Sequence, residues 1–265
     1  MKTSTPAIAL IIAAMAYSSS SHGDSSSTIR DAVGPGDNDS RWMVSGTGVR
    51  VDSLYAGEDD DNALLPVLQY RGDKFFTDNG TLNYNLGQVN QFTFGLTAGY
   101  STSLLADSTE YADNPFLAGL NERDGSFEGG FYINHTTDLG RFHFSVVNDL
   151  EGEHDGQSAV AKYTFNFKAG DWAINPTLGA AWMSDKKANH LYGVSGSEAL
   201  EFRPAYDAGP ATNLFAGIRA RYAINDRWDF SAETGVTRWS SNITDSSIVG
   251  EDTTHYSAVS LSYNF

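Results

Sequence analysis

Strand periodicity is the feature that most constrains this chain, and it is clearest in residues 257–265. Here Val259, Leu261, Tyr263 and Phe265 alternate with small or polar residues. A helix would repeat its apolar residues near every 3.6 positions, whereas a strand repeats them every second position. A soluble sandwich strand can alternate in the same way. However, an outward apolar set that finishes on an aromatic is typical of the closing strand of an outer-membrane β-barrel. We therefore interpret these four residues as a barrel-assembly signal.

The same alternation continues from Arg41 to the end of the chain, with short turns and long polar loops in turn. The short turns are predicted at residues 86–88, 138–140, 169–171 and 225–227. The long loops are predicted at about 104–125, 151–156, 184–211 and 240–254. Barrels show this asymmetry between periplasmic turns and extracellular loops.

Counting these runs gives an odd number of strands unless the chain turns at Asn79-Gly80, a strong hairpin signal. An even number also returns both termini to the periplasm, so two requirements favour the same turn. The fold prediction is all-β, a transmembrane antiparallel up-and-down barrel of about twelve strands. The predicted strands are about 42–52, 63–70, 74–78, 81–86, 90–103, 126–137, 141–150, 157–168, 171–183, 213–223, 227–239 and 255–265.

The amino-terminal segment predicts export. A lysine, an apolar core from Ala7 to Met15 and a small-x-small site before Tyr17 indicate a cleaved signal peptide over residues 1–16. Residues 17–40 are rich in Ser, Gly and Asp and predict a disordered periplasmic tail. Residues 41–265 then form the barrel.

Composition narrows the possible functions. The formal net charge of −16 and the scattered Lys and Arg residues argue against nucleic-acid binding. The absence of cysteine excludes a disulfide scaffold and thiol chemistry. Mean hydropathy is −0.33, which is compatible with a barrel because only every second strand residue faces lipid. We expect a Gram-negative outer-membrane location, with both termini in the periplasm.

If the apolar residues face lipid, the residues between them line the lumen. These are Gln91, Thr93, Thr97, Glu128, Arg141, His143, Asp149, Lys162, Asn175, Arg219, Arg221, Asp229 and Glu233. The candidate lumen charges are Arg141, Lys162, Arg219, Arg221, Asp229 and Glu233. A three-residue turn at 225–227 sets Arg219 opposite Glu233 and Arg221 diagonal to Asp229. Mixed, paired charges favour a structural role over a selectivity ring. Twelve strands lie between small solid barrels and sixteen-stranded pores, so we expect a narrow or occluded lumen.

Aromatic residues gather at the predicted strand ends, as in the girdles of membrane barrels. Those near the periplasmic turns are Phe92, Phe142, Phe167, Trp172, Tyr222, Trp228 and Tyr263, and those at the opposite ends are Tyr100 and Trp182.

Catalytic and metal signals are weak, so we predict a non-enzymatic protein with no cofactor. Residues 193–197 resemble a nucleophile elbow, but Ser197 stands where the second glycine belongs. The acidic runs 58–61 and 151–155 lack the pattern of a calcium loop and are interpreted as solvated tips. A serine and a histidine on different strands could still meet at a lipid-facing site, as in outer-membrane lipid hydrolases.

Three stretches resemble the MipA/OmpV family of outer-membrane proteins. They are LYAGEDDDNALLPVLQYRGDKFF (54–76), LYGVSGSEAL (191–200) followed by PAYDAGPATNLFAGIRARYAINDRW (204–228), and DSSIVGEDTTHYSAVSLSYNF (245–265). The chain departs from the family pattern at Ser247, where a proline is expected, and in its long Ser-rich leader. The resemblance brings no defined catalytic or binding residues.

The resemblance implies a scaffold in peptidoglycan maintenance, because family members bring the lytic transglycosylase MltA together with a bifunctional penicillin-binding protein. The expected partners are these two murein enzymes, outer-membrane lipid and the barrel-assembly machinery. Short turns offer little area for such partners, since a stable interface buries about 800 Å² on each side. The alternatives are a narrow channel for small solutes, or a surface adhesin acting through loops 104–125 and 184–211.

Overall fold

A computed structural model of the chain describes residues 42–78 and 80–265, which form one antiparallel sheet curled into a barrel. The predicted signal peptide and tail, residues 1–16 and 17–40, lie outside the described residues. The strands are β1 Trp42–Val51, β2 Asp61–Tyr70, β3 Phe75–Asp78, β4 Thr81–Val89, β5 Phe92–Ser101, β6 Ser126–Thr137, β7 Gly140–Asp149, β8 Gln157–Phe165, β9 Phe167–Ala169, β10 Trp172–Met183, β11 Ala211–Ala223, β12 Trp228–Arg238 and β13 Thr253–Asn264.

Segments β8 and β9 are one wall strand that is interrupted at Asn166. The Asn166 N–H leaves the ladder and donates to Leu139 O at 2.9 Å, while the amide of Asn175 donates to Phe165 O at 3.1 Å. Counted as one strand, they leave a twelve-stranded barrel in the described residues. The all-β prediction, the strand number and the turn after Asp78 are therefore confirmed.

The sheet order is β2-β1-β13-β12-β11-β10-β8-β7-β6-β5-β4-β3. The barrel closes where β2 meets β3 across a tight turn, in which Arg71 pairs with Phe76 and the Gly72 N–H donates to Phe75 O at 2.8 Å. One end of the barrel, here called the turn end, carries residues 71–74, 90–91, 138–139, 170–171 and 224–227. The opposite end, the loop end, carries residues 52–60, 102–125, 150–156, 184–210 and 239–252 together with the β3–β4 hairpin.

The loop end also carries the helices. They are a 3₁₀ turn at Leu104–Ala106 and three α-helices, α1 Ser108–Tyr111, α2 Asp185–Tyr192 and α3 Ser241–Thr244. No helix in residues 42–78 and 80–265 is long and apolar enough to span a membrane.

The predicted turn at 86–88 is wrong. Leu86 to Gln88 lie inside β4, where the pairing with β5 shifts register between Asn85 and Gly87. This bulge adds one residue to β4 and interrupts the alternation of apolar and polar side chains. Together with Gly87, the interruption resembles the sequence pattern of a turn. The turn lies at Asn90 and Gln91, with Asn90 at φ 55°, so Gln91 is an exposed turn residue and does not line the lumen.

The outer wall is apolar and the interior is polar, the reverse of a soluble barrel. Leu64, Phe131 and Leu178 are 79%, 62% and 57% exposed. Aromatic rings pair at the turn end, with centroids 5.0 Å apart for Trp172 and Tyr222. Exposing such a continuous apolar surface to water is unfavourable, so this surface faces lipid and the fold is a transmembrane barrel.

Candidate functional site

Two ion pairs lie inside the barrel on the β11–β12 hairpin. Arg219 is directly opposite Glu233, with its Nη2 2.5 Å from the glutamate Oε2. Arg221 donates two hydrogen bonds to the Asp229 carboxylate, at 2.9 and 2.7 Å. The Tyr256 hydroxyl on β13 donates to Glu233 Oε1 at 2.7 Å. Short, charge-assisted bonds of this kind lock both arginines against the wall.

Three further charges face these pairs across the lumen. Lys162 on β8, Arg141 on β7 and Asp78 at the end of β3 are only 2%, 6% and 5% exposed. The lysine Nζ and the aspartate Oδ1 have no hydrogen-bond partner within the described residues, although their charges attract each other. These charges are here called the lumen cluster: Asp78, Arg141, Lys162, Arg219, Arg221, Asp229 and Glu233. Arg71, in the turn between β2 and β3, is a further cation within electrostatic range of Asp78 and Asp229.

The long loops fold inward and form a packed lid over the mouth, here called the cap. Its interior is apolar and almost fully buried, which the polar composition of the loops did not indicate. The buried set includes Leu54, Leu105, Tyr111, Leu117, Val194, Ile243 and Ile248. Residues from loops 52–60, 102–125, 184–210 and 239–252 all contribute to this one cluster, so the loops form a single folded layer.

A buried arginine holds the cap together. Arg203 is 2% exposed, and its guanidinium donates to Glu198 O at 3.1 and 2.9 Å, to Phe116 O at 2.8 Å and to Ala118 O at 3.1 Å. It therefore satisfies carbonyls from two separate loops.

Glu198 is the second polar anchor of the cap. Burial alone would raise the pKa of Glu198, but the backbone N–H of Asn121, hydrogen bonds from Ser195 and the Arg123 guanidinium outweigh burial and lower the pKa to about 2. The Arg123 Nη2 lies 2.9 Å from Glu198 Oε1. Because the Ser195 N–H donates to Glu198 Oε2 at 2.8 Å, the elbow-like segment is a capped turn in this fold.

The two acidic tips predicted from the sequence are held by hydrogen bonds and an ion pair within the protein. Asp149 accepts the backbone N–H groups of Glu151, His154 and Asp155 at 2.8–2.9 Å and so shapes the acidic tip that follows β7. In the first outer loop, Asp60 pairs with Arg50 at 2.9 Å. The described residues contain no group of three or more His, Asp or Glu side chains that could hold a metal ion.

Between the cap and the lumen cluster lies a cavity of about 130 Å³. Its lining combines apolar and aromatic residues, such as Val51, Leu54 and Trp239, with polar ones that include Lys187 and His255. Tyr55 also lines it, and burial raises the pKa of Tyr55 to about 12. This cavity could not be predicted from the sequence, because its walls come from five strands and four loops that are distant along the chain.

Comparison with known proteins agrees with this architecture. A family model described as MltA-interacting protein MipA matches residues 45–265. The chain is 24% identical over 217 residues to the putative outer membrane protein YiaT of Escherichia coli O157:H7, covering 81% of this chain and 87% of that protein. It is 24% identical over 224 residues to the MltA-interacting protein of Escherichia coli strain K12, covering 84% and 89%.

A third relative is the outer membrane protein OmpV of Vibrio cholerae, which is 24% identical over 229 residues and is covered to 87%, against 85% of this chain. All three alignments extend over most of both proteins, and the family model spans the barrel from β1 to β13. The chain therefore belongs to the MipA family, the MipA/OmpV group of barrel proteins.

Proposed function

We propose that this protein is an outer-membrane barrel that acts as a non-enzymatic scaffold, linking murein-hydrolysing and murein-synthesising enzymes. The structural observation that carries the proposal is the closure of the barrel. The cap covers the mouth, and the lumen cluster occupies the interior with four cations and three carboxylates. A barrel filled in this way is suited to anchor partners at its ends. The family description and the name of the relative in Escherichia coli, MltA-interacting protein, support a lytic transglycosylase as one partner.

The turn end is the surface that such partners would use. Short turns and the start of β1 lie at this end, and in membrane barrels that end faces the periplasm. Its exposed charges are mixed, with Asp73, Lys74, Asp138, Lys168, Asp171, Asp226 and Arg227. Since a stable interface needs about 800 Å² from each partner, several turns must act together, with the segment before β1 adding area.

Affinity capture from mildly crosslinked envelopes tests the scaffold. In the test variant, Asp138-Leu139 is replaced by Asn-Gly, a sequence that still forms a tight hairpin, and residues 224–227 are replaced by a Gly/Ser turn of equal length. The matched control replaces residues 151–155 at the loop end. Recovery of a lytic transglycosylase or a murein synthase by the wild type and the control, but not by the test variant, supports the proposal. Equal recovery by all three, or by none, overturns it.

A narrow solute channel is the second candidate. A water-sized space of about 10 Å³ lies beside Arg219 and Glu233, so the lumen cluster is not packed solid. Single-channel steps from the purified barrel in a planar bilayer would favour this function, whereas a silent bilayer would count against it. Adhesion has less support, because loops 104–125 and 184–211 are packed into the cap.

A further inference from the structure

The barrel wall is incomplete between β2 and β5. The β3–β4 hairpin is short, because β3 ends at Asp78 and the chain turns back. Strand β2, in contrast, continues to Asp61. From Val67 to Asp61 it extends about 20 Å at 3.3 Å per residue. In residues 42–78 and 80–265, no strand pairs with the edge of β2 that faces β3. We call the resulting gap the notch; it is bounded by residues 61–67 of β2, the β3–β4 hairpin and residues 99–101 of β5.

The sequence of β2 is suited to an unpaired edge. The Tyr70 N–H points towards β3, where it donates to Thr77 Oγ1 at 2.8 Å. Backbone groups alternate sides along a strand, so Leu68, Pro66 and Leu64 direct theirs to the same edge. Pro66 has no N–H to leave unsatisfied, and proline in a sheet is confined to such edges. The notch therefore coincides with the one position of β2 that cannot donate a ladder hydrogen bond.

Side-chain exposure also changes at the notch. On β5, the inward-facing Thr93 and Gly95, opposite Gln88 and Asn85 of β4, are buried. Further along the same face, Thr97 opposite Asn83 is half-buried, and so are Gly99 and Ser101, which lie beyond the last residue paired with β4. The interior surface thus becomes more accessible along the hairpin and past its end.

The interior beside β1 and β2 at this level is apolar, whereas the hairpin that bounds the notch carries the buried Asp78 of the lumen cluster. Val49 and Val51 are each 5% exposed and pack against Ala63 and Leu65, the inward residues of β2. Val51 also lines the 130 Å³ cavity, whose opposite side is formed by residues 101–103 at the end of β5. Residue 101 is thus shared by the cavity and the β5 flank of the notch, and on the other side the cavity is lined by Val51 of β1, the neighbour of β2.

We propose that this cavity binds an acyl chain of a membrane lipid, which reaches it laterally through the notch. The cap lies on one side of the cavity and the lumen cluster on the other, and the wall segment without strand pairing between β2 and β5 lies beside it. From Ala63 to Leu68 both faces of β2 are apolar, with Leu64 79% and Leu68 59% exposed on the outside and Ala63 and Leu65 inside. The cavity lining also carries polar groups at Asp52, Lys187 and His255, so a hydrocarbon chain would contact the apolar part formed by Val51, Leu54 and Trp239, where it needs no polar partner.

Trp239 offers a direct probe, since it lines the cavity and its indole donates to Thr254 Oγ1 at 2.9 Å. The other tryptophans, Trp42, Trp172, Trp182 and Trp228, are exposed on the outer wall and would be replaced by Phe. The single-Trp barrel is reconstituted in phosphatidylcholine vesicles with or without bromine on the acyl chains. We expect brominated chains to quench Trp239 at least twofold. Ser101→Phe, which fills the cavity, should abolish the quenching, and Leu96→Phe on the outer face of the same strand should not.

Equal quenching in the Ser101→Phe and Leu96→Phe variants would place the lipid outside the wall and overturn the proposal. Absence of quenching in the parent would mean that water or a second copy of the chain occupies the notch, and would overturn it too. A second test does not depend on how Ser101→Phe folds. The chain has no cysteine, so Leu65→Cys and Leu64→Cys give an inward and an outward thiol on one strand. A maleimide carried on a membrane-anchored acyl chain should label both; labelling of the outward thiol alone would refute lateral access.

Discussion

Lys187 Nζ on helix α2 lies 2.5 Å from Glu128 Oε1 on strand β6, and this contact ties the cap to the barrel wall. Both side chains are about nine-tenths buried, at 10% and 11% exposure. The lysine also donates to Ser158 Oγ at 3.2 Å, and the His154 ring lies 3.2 Å from the same glutamate oxygen. The cap is therefore a folded layer that an ion pair and hydrogen bonds connect to the barrel wall.

Lys187→Met should loosen the cap, because it leaves a buried carboxylate without its cation. Removing one partner of a buried pair costs about 3 kcal/mol or more. The expected result is rapid protease cleavage in residues 184–210, with the β-barrel itself still migrating as a folded species. The double variant Glu128→Gln, Lys187→Met removes the orphaned charge and should recover part of the protection. If the single variant resists protease as well as the wild type does, the Lys187–Glu128 pair does not hold the cap to the wall.

The cap should also weaken in acid. The pKa of Glu198 is about 2 in the folded protein, against 4.5 for an ordinary glutamate. A carboxylate whose pKa is lower in the folded than in the unfolded state stabilises the fold. This stabilisation is complete above the pKa of the unfolded state and is lost as the pH falls to the pKa of the folded state. Cap protection measured by hydrogen exchange should therefore decrease between about pH 4.5 and pH 2. Glu198→Gln should be less protected at pH 7 and should show a flatter profile; identical profiles for both proteins would contradict the assignment.

The Arg219–Glu233 pair should stabilise the folded barrel through direct pairing of its two charges. Arg219→Met and Glu233→Leu each leave a buried charge behind, so each single variant should unfold at lower urea concentration than the wild type. The double variant removes both charges and should be less destabilised than the sum of the two singles, with a coupling of about 1–3 kcal/mol. The exposed pair Arg50 and Asp60, at 64% and 42% exposure, is the control, and Arg50→Met should change stability by no more than about 0.5 kcal/mol. Additive effects within the lumen pair would argue against direct pairing.

The strands and the hairpin register were predictable from the alternation of apolar and polar residues. In an antiparallel sheet, this alternation determines which face each side chain is on, and the turn length determines which residues pair. The three-residue turn at 225–227 was enough to place Arg219 opposite Glu233. The bulge at Asn85 and Gly87 was missed, since a bulge removes the alternation on which the prediction depends.

The cap was not predictable in this way. Leu105, Tyr111 and Leu117 have neither strand nor helix periodicity, and they are buried only because distant loops meet over the mouth. Arg203 looks like a solvated loop residue until the carbonyls of Phe116 and Ala118 are placed around it. The sequence carried a weak signal of the notch, because two predicted strands of only five and six residues, 74–78 and 81–86, stood between longer ones at 63–70 and 90–103.

Deleting Phe265 should impair membrane assembly. Its backbone N–H donates to Trp42 O at 3.0 Å, and its ring, 65% exposed, lies 5.0 Å from the ring of Tyr263. The exposed ring adds little to packing, so its main contribution should be recognition during assembly. Heat-modifiable barrel in isolated outer membranes should fall at least tenfold in the deletion variant, while Phe265→Trp, which keeps an aromatic, should assemble normally. Refolding of the purified deletion variant in detergent separates the two roles: normal refolding with poor assembly in cells supports a recognition signal, whereas failure of both makes Phe265 a structural residue of the closing strand.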